Sequence, residues 1–465
     1  MSIIGEKTAT DHLKSMAEVI LPQLQTDTDK GLPSFREEHG TMLLKKGIWV
    51  YFILIVIEGA LRKWFLPFLA TPLLIVRDPV AVWLLYTAWK YGRFPSNWYI
   101  TGIYFAGIVS FFATMLIGHG NLFVAIYGER ILLLHFPLIF LIANTFDRSD
   151  VIKTGRVLMW IAIPMVVLVA LQFFTPQSSF FNKGVGGEGS SGFSGANGFF
   201  RPSGTFSFTT GLTEFYTVIA AFVVYFWFNP AQIKRWVLIG GTIALMIAIP
   251  LSISRTLSFQ IVVTIFFTLI ATLNNPKYLS NIIIGFGGLA ILFFALNQFG
   301  LFGTAVETLV IRFTQANDIE GGIVKTISSR SIANADEPYL SKDFPFFGMG
   351  VGMGTNAGAR ILTGQSDKFL VSEGEWGRLV GEMGSILGSF VLFIRIAICV
   401  KIGFKGYQGL KINNILPWLL LSVDFQLISQ GQWAQPTALG FAILFAGLNI
   451  AAFKIPQNEP EHGYS

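Results

Sequence analysis

Apolar residues occur along this chain in repeated runs of about 20, separated by short polar stretches. A run of that length spans the hydrocarbon core of a bilayer as an α-helix. The runs predict about twelve spans, with centres near Leu54, Trp83, Gly107, Pro137, Val166, Ala220, Ala244, Phe267, Leu289, Phe390, Leu420 and Ile443. The predicted fold class is therefore all-α, a polytopic integral membrane protein.

Composition supports this class, because 52% of the 465 residues are hydrophobic and only 13% are charged. Soluble domains carry about 25% charged residues. The net charge of +6 is modest and unevenly placed, which favours a topological role over nucleic-acid binding. The lone Cys399 excludes an internal disulfide and a cysteine-based metal site, and the five histidines show no ligand spacing. We expect no cofactor. The polar N-terminus predicts no cleavable signal peptide.

Positive charges in the short loops predict the orientation. With twelve spans, most basic residues of the short loops lie on one side of the membrane: Lys45/Lys46, Lys90/Arg93, Arg148/Lys153/Arg156, Lys234/Arg235, Lys277, Lys401/Lys405/Lys411 and Lys454. That side is predicted to be the cytoplasm, with both termini on it. The exception is Arg62/Lys63 in "LRKWFLP", which resembles an interfacial corner.

The predicted organisation has two long outward loops, one at about 175–205 and one at about 300–375. Both are rich in glycine, which suits close approach to a bulky ligand but equally a disordered connector. The length of the second loop predicts helix of its own. The predicted divisions are a cytoplasmic tail (1–44), spans one to nine (45–298), a large periplasmic loop (299–375), spans ten to twelve (376–453) and a second tail (454–465).

Several charged residues fall inside predicted spans, where an ionised side chain is costly. They are Glu58, Arg77, Asp78, Glu129, Arg130, Glu214, Glu382, Arg395 and Asp424. Neighbours in sequence cannot face each other on a helix, so their partners are expected on other helices, for example Glu58 with Arg77. Such charges either form buried ion pairs or mark a functional site.

Arginines on the predicted outer side need a separate reason. Arg201 precedes span six in "FFRPSGTFSFTTG", and Arg255 stands at the turn between spans seven and eight in "LSISRTLSF". A guanidinium grips phosphate two oxygens at a time, so an anionic ligand explains the pair. For any single outer arginine, including Arg312, Arg330 and Arg360 of the large loop, an ordinary salt bridge to Glu188, Glu307, Asp318 or Glu320 is the better explanation.

The segment "VSEGEWGRLVGEMG" opens span ten with Glu373 and Glu375, and Arg378 and Glu382 follow one and two turns later. A carboxylate there could accept the proton of a sugar hydroxyl, as general-base catalysis requires. Glutamate at a helix start also suits the helix dipole without any catalytic role.

Four motifs, in order, resemble the O-antigen ligase/polymerase superfamily: "FFRPSGTFSFTTG", "PLSISRTLSF", "TISSRSIAN" followed by "FPFFGMGVGMG", and "SEGEWGRLVGEMG". The resemblance covers roughly Tyr127 to Gly384. It implies a bacterial inner-membrane protein that transfers glycans from undecaprenyl diphosphate at the periplasmic face, with inversion and without metal. Arginines matching the family's pattern would hold the diphosphate: Arg201, Arg255, Arg330 and Arg130.

One departure from the family concerns the base. Ligases of the family carry a histidine where this sequence has Glu373. The base is therefore expected to be Glu373 or Glu375, supported by Arg378 and Glu382.

The favoured function is a polysaccharide polymerase that acts on a second lipid-linked repeat unit. The alternatives are a ligase acting on lipid A core or protein, a transporter or flippase, and a non-catalytic scaffold. Expected partners are the lipid-linked oligosaccharide, membrane lipid and a chain-length regulator or other assembly proteins.

Overall fold

The computed structural model describes residues 35–187, 189, 193–274, 288, 298, 300–320, 345–364, 370–372 and 374–454. Helices dominate these ranges: α1 (Phe35–Ala60), α2 (Asp78–Lys90), α3 (Trp98–Leu116), α4 (Leu122–Glu129), α5 (Phe136–Thr145), α6 (Arg148–Phe174), α7 (Thr209–Phe228), α8 (Arg235–Leu251), α9 (Arg255–Asn274), α10 (Gly300–Glu320), α11 (Asn356–Thr363), α12 (Glu375–Lys411), α13 (Leu416–Ser429) and α14 (Pro436–Ala451). A two-stranded hairpin, β1 (Phe193–Ser194) with β2 (Phe200–Arg201), lies between α6 and α7.

Short π and 3-10 turns join some of these helices. The π turns are Leu61–Phe65 and Arg130–His135, and the 3-10 turns are Pro67–Leu69, Pro72–Ile75, Phe180–Asn182 and Pro230–Gln232. The second π turn links α4 to α5, so that Leu122–Thr145 forms one continuous apolar helix.

The helices confirm a membrane-embedded, mostly helical protein. Within the described ranges, seven helices are long and apolar enough to cross a bilayer, and α8, α13 and α14 are shorter apolar helices. Every predicted span centre except Leu289 lies in an α-helix, and Leu289 lies outside the described residues. The count of twelve spans stays a prediction, since α2 has only 13 residues.

One boundary differs from the sequence prediction. Within the described residues α1 extends back to Phe35, inside the predicted tail, because the polar stretch before the apolar run is also helical and includes Glu37 and Glu38. The large loop carries its own helix, as predicted, in α10 and α11. The tails before residue 35 and after residue 454 lie outside the described residues.

Basic residues predicted on one side meet at one end of the bundle. Lys45 Nζ lies 2.5 Å from Asp150 Oδ2, and Lys454 Nζ donates to the Asn144 carbonyl at 2.9 Å. Asp147 caps α6 in a capping box with Asp150. Burial raises the pKa of Asp147, but hydrogen bonds from Ser149 and Asp150 and the charge of Lys45 outweigh burial and hold that pKa below its usual value.

The predicted pair of Glu58 with Arg77 is confirmed. Arg77 Nε donates to Glu58 Oε2 at 3.1 Å, and both side chains are buried. Arg77 also donates to the Pro436 carbonyl at the start of α14. Gly440, one turn further along α14, leaves the space for this guanidinium, which any Cβ there would overlap. The pair therefore fixes α1, α14 and the start of α2 relative to one another.

Candidate functional site

The hairpin between α6 and α7 holds Arg201 at the end of the bundle opposite Lys45 and Lys454. Arg201 pairs with Phe193 across the two strands. The turn between them uses Asn197 (φ 52°) and Gly198 (φ 77°), residue types that tolerate the left-handed region. Phe199 stacks on Phe173 of α6 with ring centroids 4.5 Å apart, which anchors the hairpin to the bundle. We call this end the hairpin end.

Arg255 starts α9 beside the same hairpin. The turn before it, Ser252–Ser254, carries Ile253 at φ 48°, which a β-branched residue rarely adopts. A Cβ on Gly195 of the hairpin would lie 2.8 Å from Ile253 Cδ1, so hairpin and turn are in close contact. The Ser254 hydroxyl hydrogen-bonds Thr213 Oγ1 on α7 at 3.0 Å. Backbone strain of this kind costs about 1–3 kcal/mol and concentrates at functional sites.

A third arginine reaches the hairpin from the large loop. Arg312 of α10 donates from Nη1 to the Gly195 carbonyl at 3.2 Å. All three arginines therefore border one hairpin. Arg201 lies in it, Arg255 follows a turn that packs on it, and Arg312 donates a hydrogen bond to it. Arg360, by contrast, is exposed on α11, and Arg330 lies outside the described residues.

Arg130 is held away from this group. Its Nη1 donates to both oxygens of Asp78, at 2.8 and 3.1 Å, and its guanidinium lies 4.1 Å from the ring centroid of Tyr127. His135 Nε2 lies 2.9 Å from the same carboxylate. Arg130 has no contact with the hairpin in the described part of the chain, and it has a carboxylate partner on another helix, as predicted for buried charges.

The helix α12 is interrupted at Gly384, whose φ of 81° and ψ of 169° are not helical. The break leaves carbonyl groups of the preceding turn without their usual donors. The glycine loop, residues 346–354, supplies them: Met349 N donates to the Gly381 carbonyl at 2.8 Å, and Gly350 N to the Glu382 carbonyl at 3.0 Å. The predicted glycine-rich segment is therefore docked on a broken helix.

The same loop fixes the Glu382 side chain. Gly354 N donates to Glu382 Oε1 at 2.7 Å, and Arg378 Nη1 donates to Glu382 Oε2 at 2.6 Å. A side chain at position 354 would crowd both groups, since a Cβ would lie 2.6 Å from Arg378 Cγ and 2.9 Å from Glu382 Oε1. Glu382 thus joins the glycine loop to α12.

Glu375 belongs to a buried ion network rather than to an open surface. Its Oε1 accepts from Arg395 Nη1 at 2.6 Å and from Arg378 Nη2 at 2.9 Å, and its Oε2 accepts from Arg378 Nε at 2.9 Å. Arg395 is fully buried and lies over Trp433, 3.8 Å from the ring centroid. Glu373, two residues earlier, lies outside the described residues.

The start of α12 lies at the hairpin end. Trp376 Nε1 donates to the Ser429 carbonyl at 2.7 Å, where the loop between α13 and α14 begins. At the other end of this loop, Gln435 Oε1 accepts from Thr210 Oγ1 in the first turn of α7 at 3.1 Å. One loop therefore connects the acidic start of α12 with the helix that follows Arg201.

Two further basic residues contact this region, although no motif in the sequence assigned them to the site. Lys63 Nζ donates to Ser203 Oγ and to the Gly204 carbonyl, both at 2.9 Å. Arg62 Nη1 donates to Ser207 Oγ at 2.9 Å. Both side chains are buried in protein, whereas the sequence predicted a corner at the membrane interface. The signal in the sequence was their exceptional position against the positive-inside pattern.

The fold defines a mostly helical, membrane-embedded protein in which three arginines border one hairpin at one end of the bundle. Within the described ranges, no three His, Cys, Asp or Glu side chains are close enough to hold a metal ion. No protein-family model matches the chain, and no curated protein or solved structure is significantly similar to it.

Proposed function

We propose that the protein is a membrane polysaccharide polymerase. It transfers a growing glycan from undecaprenyl diphosphate to another lipid-linked repeat unit at the periplasmic face of a bacterial inner membrane. The observation that carries the proposal is the association of Arg201, Arg255 and Arg312 with one hairpin. Guanidinium groups bind phosphate oxygens in pairs, so this arrangement suits a lipid diphosphate whose chain remains in the bilayer.

In this mechanism the diphosphate is the leaving group, and Arg201 and Arg255 stabilise the charge that develops on it. A carboxylate accepts the proton of the acceptor hydroxyl as that oxygen attacks the anomeric carbon, and the configuration there inverts. We assign the base to Glu373 in preference to Glu375, because both oxygens of Glu375 are occupied by buried arginines. Arg378 and Glu382 support the start of α12.

Reconstitution tests the proposal. Liposomes containing the purified protein and lipid-linked repeat units should produce longer lipid-linked glycans without lipid A core, visible as a ladder on a gel. A ladder that appears only after lipid A core or an acceptor protein is added would favour a ligase. No glycan transfer with a matched substrate under either condition would refute the enzymatic proposal.

One observation supports a transporter or flippase as the second candidate. α12 is broken at Gly384 next to the buried charges of Arg378 and Glu382, and transporters use interrupted helices with charges at the break. The liposome experiment separates the two functions. A transporter would move the lipid-linked glycan between leaflets without lengthening it, which can be measured by its accessibility to an added glycosidase.

A further inference from the structure

Lys63 is fully buried, and in the described part of the chain its ammonium group faces only neutral partners. Ser203 Oγ and the Gly204 carbonyl accept two of its three N–H bonds, and the Trp64 ring centroid lies 4.9 Å away. Within the described ranges no carboxylate forms a salt bridge with it. A buried charge without a counter-ion costs several kcal/mol, so such a residue is a functional candidate by default.

The charges around Lys63 do not balance. Among the described residues, one carboxylate, Glu58, forms salt bridges with Arg62 and with Arg77, and no carboxylate forms one with Lys63. Glu58 serves both Arg77, at 3.1 Å, and Arg62, at 3.7 Å. Three buried basic residues therefore have one carboxylate between them in this part of the described chain.

Two of these basic residues, Arg62 and Lys63, contact the segment that follows the Arg201 hairpin. Ser203 and Gly204, which Lys63 binds, follow Arg201 by only two and three residues. Gln172 holds the same segment from α6, since its Oε1 accepts from Gly204 N at 2.7 Å. The segment is thus fixed between α6 and the π turn that carries Lys63, and its position relative to Arg201 is fixed with it.

We propose that Lys63, with Arg62, is the buried positive base of an anion site whose rim is the Arg201 hairpin, and that this site takes a phosphate or diphosphate group. The proposal rests on the proposed function, since it adds residues to the same donor site. Lys63 does not touch the anion. It positions the segment after Arg201 and contributes positive potential in a medium of low dielectric constant.

The size of the effect follows from Coulomb's law. A unit charge at roughly 10 Å, with an effective dielectric constant of about 20, changes the binding of a singly charged anion about tenfold to twentyfold. Removing an uncompensated buried charge should at the same time leave the folded state no less stable, because the desolvation cost disappears. A residue that only anchors the segment would show the opposite pattern.

The test uses purified full-length protein in lipid nanodiscs, with inorganic pyrophosphate and farnesyl diphosphate as probes. Lys63→Gln keeps donors for Ser203 and Gly204 but loses the charge, and Lys63→Met loses both. Lys183→Met removes an exposed lysine from the α6–α7 connection and is the matched control. Affinities come from calorimetric titration, and the midpoint of thermal unfolding, Tm, is recorded for each variant.

We expect both Lys63 variants to bind at least one probe about tenfold more weakly than wild type and the control, with no fall in Tm. Weakening of both probes identifies the bare anion as the ligand, and weakening of farnesyl diphosphate alone identifies a lipid diphosphate. Wild-type affinity in Lys63→Gln, or a lower Tm with unchanged affinity, would overturn the role of Lys63 and leave the proposed function standing. Wild type that binds neither probe would refute the anion site and the proposed donor site together.

Discussion

Substituting Glu375 by glutamine tests whether this residue holds the fold or performs the chemistry. The network at the start of α12 contains two carboxylates and two guanidiniums, and Glu375 is the only carboxylate bound to Arg395 among the described residues. Arg378 keeps Glu382 as a partner at 2.6 Å after the substitution. Arg395 is left with the carbonyls of Ile428 and Gly431 and the ring of Trp433.

The loss can be estimated from this geometry. Breaking a buried ion pair from one side costs about 3–5 kcal/mol. With an unfolding entropy of about 2.1 cal/mol/K per residue, a chain of 465 residues loses about 1 °C of Tm per kcal/mol. Glu375→Gln should therefore lower Tm by about 3–5 °C. The double variant Glu375→Gln/Arg395→Met is neutral again and should recover most of this loss.

The assay is thermal unfolding in detergent, followed by glycan transfer measured well below the lowered Tm. Glu307→Gln removes an exposed carboxylate from α10 and should leave Tm unchanged. We expect Glu375→Gln to retain transfer at low temperature and Glu373→Gln to abolish it while sparing donor binding. An inactive Glu375→Gln variant of normal Tm would refute this reasoning and make Glu375 the base.

Three further predictions concern other parts of the structure. Arg201→Lys or Arg255→Lys keeps the charge but loses the paired donors, so glycan transfer should fall at least tenfold with expression unchanged. Full glycan length in cells that express either variant would argue against binding of the diphosphate by these arginines. Gly384→Ala should release the glycine loop, because its Cβ would meet the Phe346 carbonyl. Limited proteolysis should then cut that loop. The control Gly403→Ala in the same helix, where the nearest atom is 3.5 Å away, should not change the cleavage. Asp147→Ala should cost about 1 kcal/mol of stability by removing the α6 cap. Because the folded pKa of Asp147 is depressed, this difference should be present at neutral pH and be lost as the pH falls through that value.

The helical architecture could be predicted from the sequence, because each apolar run is long enough to act as an independent signal. The pairing of Glu58 with Arg77 was also predictable, since a buried charge requires a partner and adjacent residues on a helix cannot provide it. Both inferences need only local pattern and the cost of burying charge.

Other features of the site depend on contacts between distant segments. Gly384 lies in an apolar run, and a glycine inside a helix lowers helix stability by only about 1 kcal/mol. The local sequence therefore does not indicate that the helix is interrupted there. The docking of Met349 and Gly350 on that break joins segments separated by more than 30 residues. The burial of Lys63 against Ser203 is likewise a long-range contact, over 140 positions, and only the exception to the charge pattern pointed to it.

The central claim is that Arg201 and Arg255 bind a lipid diphosphate, and a structure with bound donor tests it most directly. The protein would be imaged by electron cryomicroscopy in nanodiscs with an undecaprenyl-diphosphate-linked repeat unit. We predict that the diphosphate contacts both guanidiniums at the hairpin end, with the anomeric carbon facing the start of α12. A diphosphate bound at the end that carries Lys45 and Lys454, or one that contacts neither arginine, would contradict the account.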